Sequence, residues 1–186
     1  MKKNLVTPDP LSLVTHHLRL GYSKTDTILS SGTGFIYKSR DKFYLITTWH
    51  NFSGRDPVTK KCLSDHGGIP DLFVTYFRSR AEGGVAHREI LPLYEDDEMV
   101  RPLWLQHPIF QEGIDVVAYP LPGHISTNYK LIPINEIQFE EGIPPEVSDE
   151  VFILGYPFSE TPYLHLPIWK KASIATEPTV DIDQLP

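Results

Sequence analysis

The sequence predicts an all-β protein, with strand enough for one closed barrel and only the beginning of a second. Three observations carry that expectation. Short alternating or apolar runs bounded by Gly, Pro, Asn and Asp recur along the 186 residues. No helix of core-forming length stands out, because Pro and β-branched residues interrupt every candidate. The strand signals crowd into residues 25–121, about six of them, while residues 125–186 supply two strong ones.

Taken in order, SSGTGFIYKS (30–39) reads as a strand opened by Gly32 and Gly34, and DKFYLITT (41–48) as its neighbour across a turn at Lys38–Asp41. Residues 51–71, rich in Gly, Pro, Asp, Ser and Lys, read as a long loop holding at most a short helical turn. Strand character returns at DLFVTYFR (71–78), VAHREILPL (85–93) and IDVVAYPL (114–121), with the apolar and aromatic VRPLWLQHP (100–108) between the last two. After Gly123 a connection and a polar, Pro-rich linker lead to VFILGYP (151–157), read as a buried strand stopped by Tyr-Pro, and to KKASIATEPTV (170–180), read as its partner. The expected division is a complete N-terminal barrel over residues 1–124 and a linker with a partial second barrel over 125–186.

Composition narrows the function classes. No run of about 18 apolar residues exists to span a bilayer, and MKKNLVTPDP lacks the apolar core of a secretion signal. The lone Cys62 excludes an internal disulfide framework and fits a reducing, cytoplasmic setting; beside two lysines it reads as a plain thiol. Residues 1–61 hold ten Lys/Arg against four Asp/Glu and residues 62–186 seven against twenty, yet the basic residues are scattered, so no nucleic-acid face is expected. EDDE (95–98) lacks the alternating ligands and fixed glycine of a calcium loop and reads as a surface turn.

Two residues invite a chemical reading. His50, in LITTWHNFSG, falls just past a strand end, where a rigid sheet can aim a loop residue. Taken alone it reads as a structural histidine. Asp115, in GIDVVAYPLP, leads an apolar strand, where a half-buried carboxylate needs donors. A histidine Nδ1–H is one such donor; backbone N–H groups of a turn are another, and Asp115 by itself fits both.

The order GTGF (32–35), LITTWHN (45–51), GIDVVAY (113–119) and VFILGYP (151–157) resembles the chymotrypsin/trypsin-like serine peptidases, specifically their bacterial trypsin-like members. The resemblance implies a trypsin-like double β-barrel, complete in its first barrel and partial in its second, with His50 as general base and Asp115 orienting it. Val117 replaces a common alanine, and Trp49 replaces the usual small residue beside the base, where it would narrow the site or pack beneath it. The family's Gly-x-Ser-Gly nucleophile loop is absent; Ser159 and Ser173 are poor substitutes. The implied function is therefore a serine endopeptidase whose serine lies outside this chain, the 186 residues being a C-terminally shortened and inactive portion. The alternative is a non-catalytic, peptidase-like binding or regulatory domain. Expected partners are a protein or peptide substrate, and an adjacent domain or a second copy across the incomplete barrel; no cofactor and no metal are implied.

The remaining signals read blandly. His16-His17, His66, His87, His107, His124 and His165 lack regular ligand spacing and are expected at surfaces or turns. Asn51-Phe-Ser53 matches a glycosylation acceptor, but a glycan there would block the cleft at His50. Gly32 and Gly34 precede a strand rather than a phosphate-binding helix and serve close backbone packing. Trp104 and Trp169 are expected in core packing or barrel-end plugging.

Overall fold

The computed structural model describes residues 7–139, 142, 144–157 and 165–180. Ser159 lies outside the described residues. Among the described residues the protein is mostly β with three short α-helices, and its strands form two open sheets.

The chain enters through α1 (Pro10–Val14), where Pro10 opens the helix and the Asp9 carboxylate accepts from Leu11 N at 2.8 Å. It passes directly into β1 (Thr15–Tyr22), β2 (Thr27–Ser39) and β3 (Lys42–Thr47). Helix α2 (Trp49–Ser53) follows, then the long loop to β4 (Leu72–Arg78), β5 (Ala86–Pro92) and β6 (Val117–Pro120). Helix α3 (Gly123–Asn128) turns the chain back, and β7 (Glu150–Gly155) and β8 (Ile168–Ser173) close the sequence of elements.

Six strands pair in the order β5-β4-β1-β2-β3-β6, all antiparallel. The ends of that order, β5 and β6, are not paired to each other, so the sheet is open, and β7 and β8 form a separate two-stranded ribbon. This overturns the closed double barrel implied by the resemblance. Closure needs a last-to-first hydrogen-bonded pair; here the outer side of β6 is instead met by Leu105, which exchanges backbone hydrogen bonds with Ala118 at 2.8 and 3.0 Å.

The sequence reading passed over β1, the strand between β2 and β4. His16-His17 and Arg19 mask its alternation, yet Leu18 and Leu20 are completely buried. The core gathers on one face, where Leu18, Leu20, Ile36, Leu45, Phe73 and Phe77 meet Phe52 from α2 and Ile125 from α3. Phe52 lies 5.2 Å from Phe73 and 5.7 Å from Trp104 between ring centroids, and this apolar plug pins α2 to the sheet.

The ribbon differs. VFILGYP forms a strand as expected, but not a buried one: Phe152 is 53% and Ile153 57% exposed. Trp169 on β8 is likewise 38% exposed rather than in the core, whereas Trp104 is buried.

Candidate functional site

His50 rides on α2, whose inward residue Phe52 is buried and whose outward face opens on a cleft. Helix α2 is stopped after one turn by Gly54, which adopts φ 64° and donates its N–H to His50 O at 3.0 Å. A Cβ on Gly54 would stand 2.7 Å from Pro70 Cδ, so the left-handed conformation and the close approach of the returning loop both call for glycine.

Asp115 reaches α2 from the segment that leads into β6. One carboxylate oxygen accepts the His50 backbone N–H at 2.9 Å, and the other meets His50 Nδ1 at 2.6 Å. The structure therefore brings the two sequence-predicted residues together, and Asp115 occupies both of the roles open to it. It satisfies an otherwise unpaired N–H of the first helical turn, and it orients the imidazole. A carboxylate only accepts, so Nδ1 carries the ring hydrogen and Nε2 is left as the acceptor. Thr48 Oγ lies 3.3 Å from Nε2 and donates to it. Both side chains of the pair are about one-third exposed (36% and 32%).

A relay of hydrogen bonds holds the floor beside His50. Asn51 Nδ2 donates to Thr47 Oγ1 at 3.0 Å, and that hydroxyl donates to Thr33 O at 2.9 Å. Gly32 makes room for it, since a Cβ there would fall 2.5 Å from Asn51 Nδ2. Trp49 packs beneath the site rather than across it: it is buried, and with the Gln106 amide assigned so that its oxygen faces them, the indole N–H groups of Trp49 and Trp104 both donate to that oxygen at 3.2 Å. The outer face of Trp49 receives Lys60 Nζ at 4.7 Å from the ring centroid, a cation–π contact from the long loop.

That loop walls the cleft. Asp56 folds its start by accepting from Val58 N, Thr59 N and Thr59 Oγ1 at 3.0, 2.6 and 2.9 Å, and these donors, above all the Thr59 N–H, hold its carboxyl below the ordinary range. Cys62 Sγ turns to Gly68 O at 3.4 Å. Leu63, Ser64, Asp65, His66 and Pro70 then face Ser30 and Ser31 of β2 across a cavity of about 470 Å³ with His50 on its rim. Nothing in the spacing of the cleft serines Ser30 and Ser31 marks them in the sequence.

The arrangement does not make a nucleophile. Among the described residues no serine hydroxyl hydrogen-bonds to His50; the group at Nε2 is Thr48. Ser173 ends β8 in the separate ribbon. With no Ser-His-Asp cluster among the described residues and no barrel closure, the serine endopeptidase reading and its trypsin-like assignment are set aside. No group of three or more His, Cys, Asp or Glu is placed to hold a metal ion among the described residues, and no helix among them is long and apolar enough to cross a membrane.

Three histidines expected at surfaces or turns are instead packed against aromatic residues or the backbone of the sheet. His17 is 3% exposed and stacks on Tyr156 at 4.7 Å, His165 stacks on Tyr76 at 3.9 Å, and His16 turns its Nδ1 to Tyr76 O at 3.2 Å. Burial pushes the imidazoles of His16 and His17 down to about 4, and it lowers that of His165 as well. No protein family, curated protein or solved structure matches this chain.

Proposed function

We propose that the protein is a polypeptide-binding domain that receives an extended segment of another protein along the β7–β8 ribbon. The observation that carries this reading is apolar exposure on both ribbon faces. Alternation sets Phe152 and Trp169 on one face and Ile153 and Ile168 on the other, all four more than a third exposed. A two-stranded sheet is marginal alone, and its unpaired edges are templates for an added strand.

Charge selects the occupant. Lys170 and Lys171 follow each other on β8, one on each face and Lys171 paired with Glu150, while Glu146, Asp149 and Glu150 gather at the start of β7. Pairing β8 with β8 of a second copy would oppose lysines, and pairing β7 with β7 would oppose carboxylates; like charges facing each other across strands are destabilising. An acidic, alternating apolar segment added along β8 avoids both conflicts. The ribbon and the His50 cleft meet the same face of β2: Ser31 lines the cleft, and the Thr33 hydroxyl accepts from Tyr156 N at 3.3 Å, just after β7.

His50 and Asp115 are proposed as the functional pair of that cleft, with His50 Nε2 accepting a hydrogen bond from a donor on the bound segment in place of the Thr48 hydroxyl. The lone Cys62 suits a reducing, cytoplasmic setting for such binding. The test is fluorescence anisotropy with a labelled ten-residue peptide alternating Ile and Glu, set against its Ile/Lys counterpart. The acidic peptide is expected to bind with a Kd of roughly 1–100 μM, with at least a tenfold loss in Phe152→Asp and in Lys170→Glu. Equal binding of both peptides, or self-association of the protein that the same substitutions abolish, would refute the reading.

A further inference from the structure

The ribbon meets the six-stranded sheet through a seam of stacked aromatic rings, two of them imidazoles. Arg19 pairs with Val74 across β1 and β4, so alternation puts His17 and Tyr76 on the same sheet face, the one turned away from the main core. Tyr156 covers His17, and His165, just before β8, covers Tyr76. Tyr156 Oη lies 3.1 Å from both Thr15 O and His165 O, tying the two layers together. Farther along, Trp169 Nε1 donates to Ser12 Oγ at 2.8 Å. These contacts, with the Tyr156 N–Thr33 bond, hold the ribbon to the sheet among the described residues.

We propose that this seam is an acid-released latch: protonation of His17 and His165 loosens the ribbon from the sheet while the main core stays folded. The groups facing the seam are His17 and Arg19 from β1, Tyr76 and Arg78 from β4, Lys130 from the segment after α3, and Tyr156 and His165 from the ribbon side, with His16 bordering the same cavity from the other face of β1. The charged members among the described residues lining this 160 Å³ cavity are the cations Arg78 and Lys130. Imidazolium at His17 would be buried, near Arg19, and close to a second imidazolium at His165, itself near Arg78. The neutral rings stack without that repulsion.

The direction follows from proton counting. The docked His17 takes up its proton only near pH 4, and a released one near its ordinary 6.5, so docking is at full strength above about pH 6.5 and is lost progressively as the pH falls towards 4. His17 alone weakens docking roughly thirtyfold at pH 5. His16 faces the core side, and its protonation bears on the main sheet instead.

Amide hydrogen exchange of the full chain, corrected for the intrinsic pH dependence of exchange, separates ribbon from sheet. Between pH 7 and pH 5, protection at Val151–Gly155 and Ile168–Ser173 is expected to fall at least tenfold while Phe73–Phe77 keeps its protection. His17→Phe retains the ring without the titration and is expected to abolish the fall; His165→Phe, at a less buried position, is expected to reduce it. Unchanged ribbon protection at pH 5, simultaneous loss in ribbon and sheet, or the same fall in both variants overturns the latch. None of these readouts involves a bound peptide, so the latch stands or fails independently of the peptide-binding reading.

Discussion

The six-stranded sheet and the two-stranded ribbon are built from similar sequence and stabilised differently. VFILG in the ribbon is as apolar as FYLIT in β3, but β3 lies between β2 and β6 with Leu45 completely buried, whereas among the described residues β7 has β8 on one side only and leaves Phe152 and Ile153 more than half exposed. An apolar strand is thus no evidence of a core; what covers it decides. The sheet owes its strength to the burial of Leu45, Phe73 and Phe77 under Phe52 and Ile125, while the ribbon is held by a few stacks and hydrogen bonds at one end.

The sharpest way to break this contrast is a matched pair of truncations. Phe73→Ala, in the closed part of the core, is expected to lower unfolding free energy by about 3–5 kcal/mol, and Phe152→Ala, on the open ribbon, by less than about 0.5 kcal/mol, both read by urea denaturation. Comparable losses would mean that the ribbon is as well packed as the sheet. Next in size is Gly54→Ala, expected to cost about 1–3 kcal/mol, because it puts a side chain into a left-handed turn and against Pro70; an unchanged denaturation midpoint would show that the α2 stop does not depend on that glycine.

Asp115→Ala removes the acceptor of both the His50 backbone N–H and Nδ1–H. With the pair one-third exposed, water replaces part of what is lost, and a loss of about 1–2 kcal/mol is expected, accompanied by a shift of His50 from the Nδ1–H towards the Nε2–H tautomer in nitrogen NMR spectra. An unaltered tautomer balance would remove Asp115 as the orienting group. The smallest effect is expected from Trp169→Phe, which keeps an aromatic ring and deletes the N–H to Ser12. It should cost about 1 kcal/mol or less, confined to ribbon amides in hydrogen exchange; a loss spread into β1–β6 would mean that the ribbon and the sheet form one cooperative unit.

The apparent resemblance to a peptidase rested on residues whose neighbours are real and whose wider setting is not the expected one. His50 and Asp115 do meet, yet Nε2 faces Thr48 rather than a serine. Local order in the sequence specified the meeting because each residue sits at the end of a strand, and β3 and β6 are paired from Tyr44–Pro120 to Thr47–Val117. That register carries the residues flanking Thr47 and Val117 into reach of each other. The seam was invisible for the opposite reason. His17 and His165 are far apart in sequence, with no ligand-like spacing, and only the return of the chain after β7 lays Tyr156 and His165 over β1 and β4.

By itself the sequence determined where most strands lie: alternation and turn residues set β2 through β8 near their observed positions, because side-chain period and local turn chemistry act over a few residues. It also determined that helices would be short. The central strand β1 escaped, since polar His16, His17 and Arg19 hide its two buried leucines. Only the tertiary structure decided that the sheet stays open, that VFILG is left uncovered and that the histidines of β1 are enclosed. Those outcomes depend on which surfaces remain to be covered once distant segments have packed, and burial of that kind is a property of the whole chain rather than of any stretch of it.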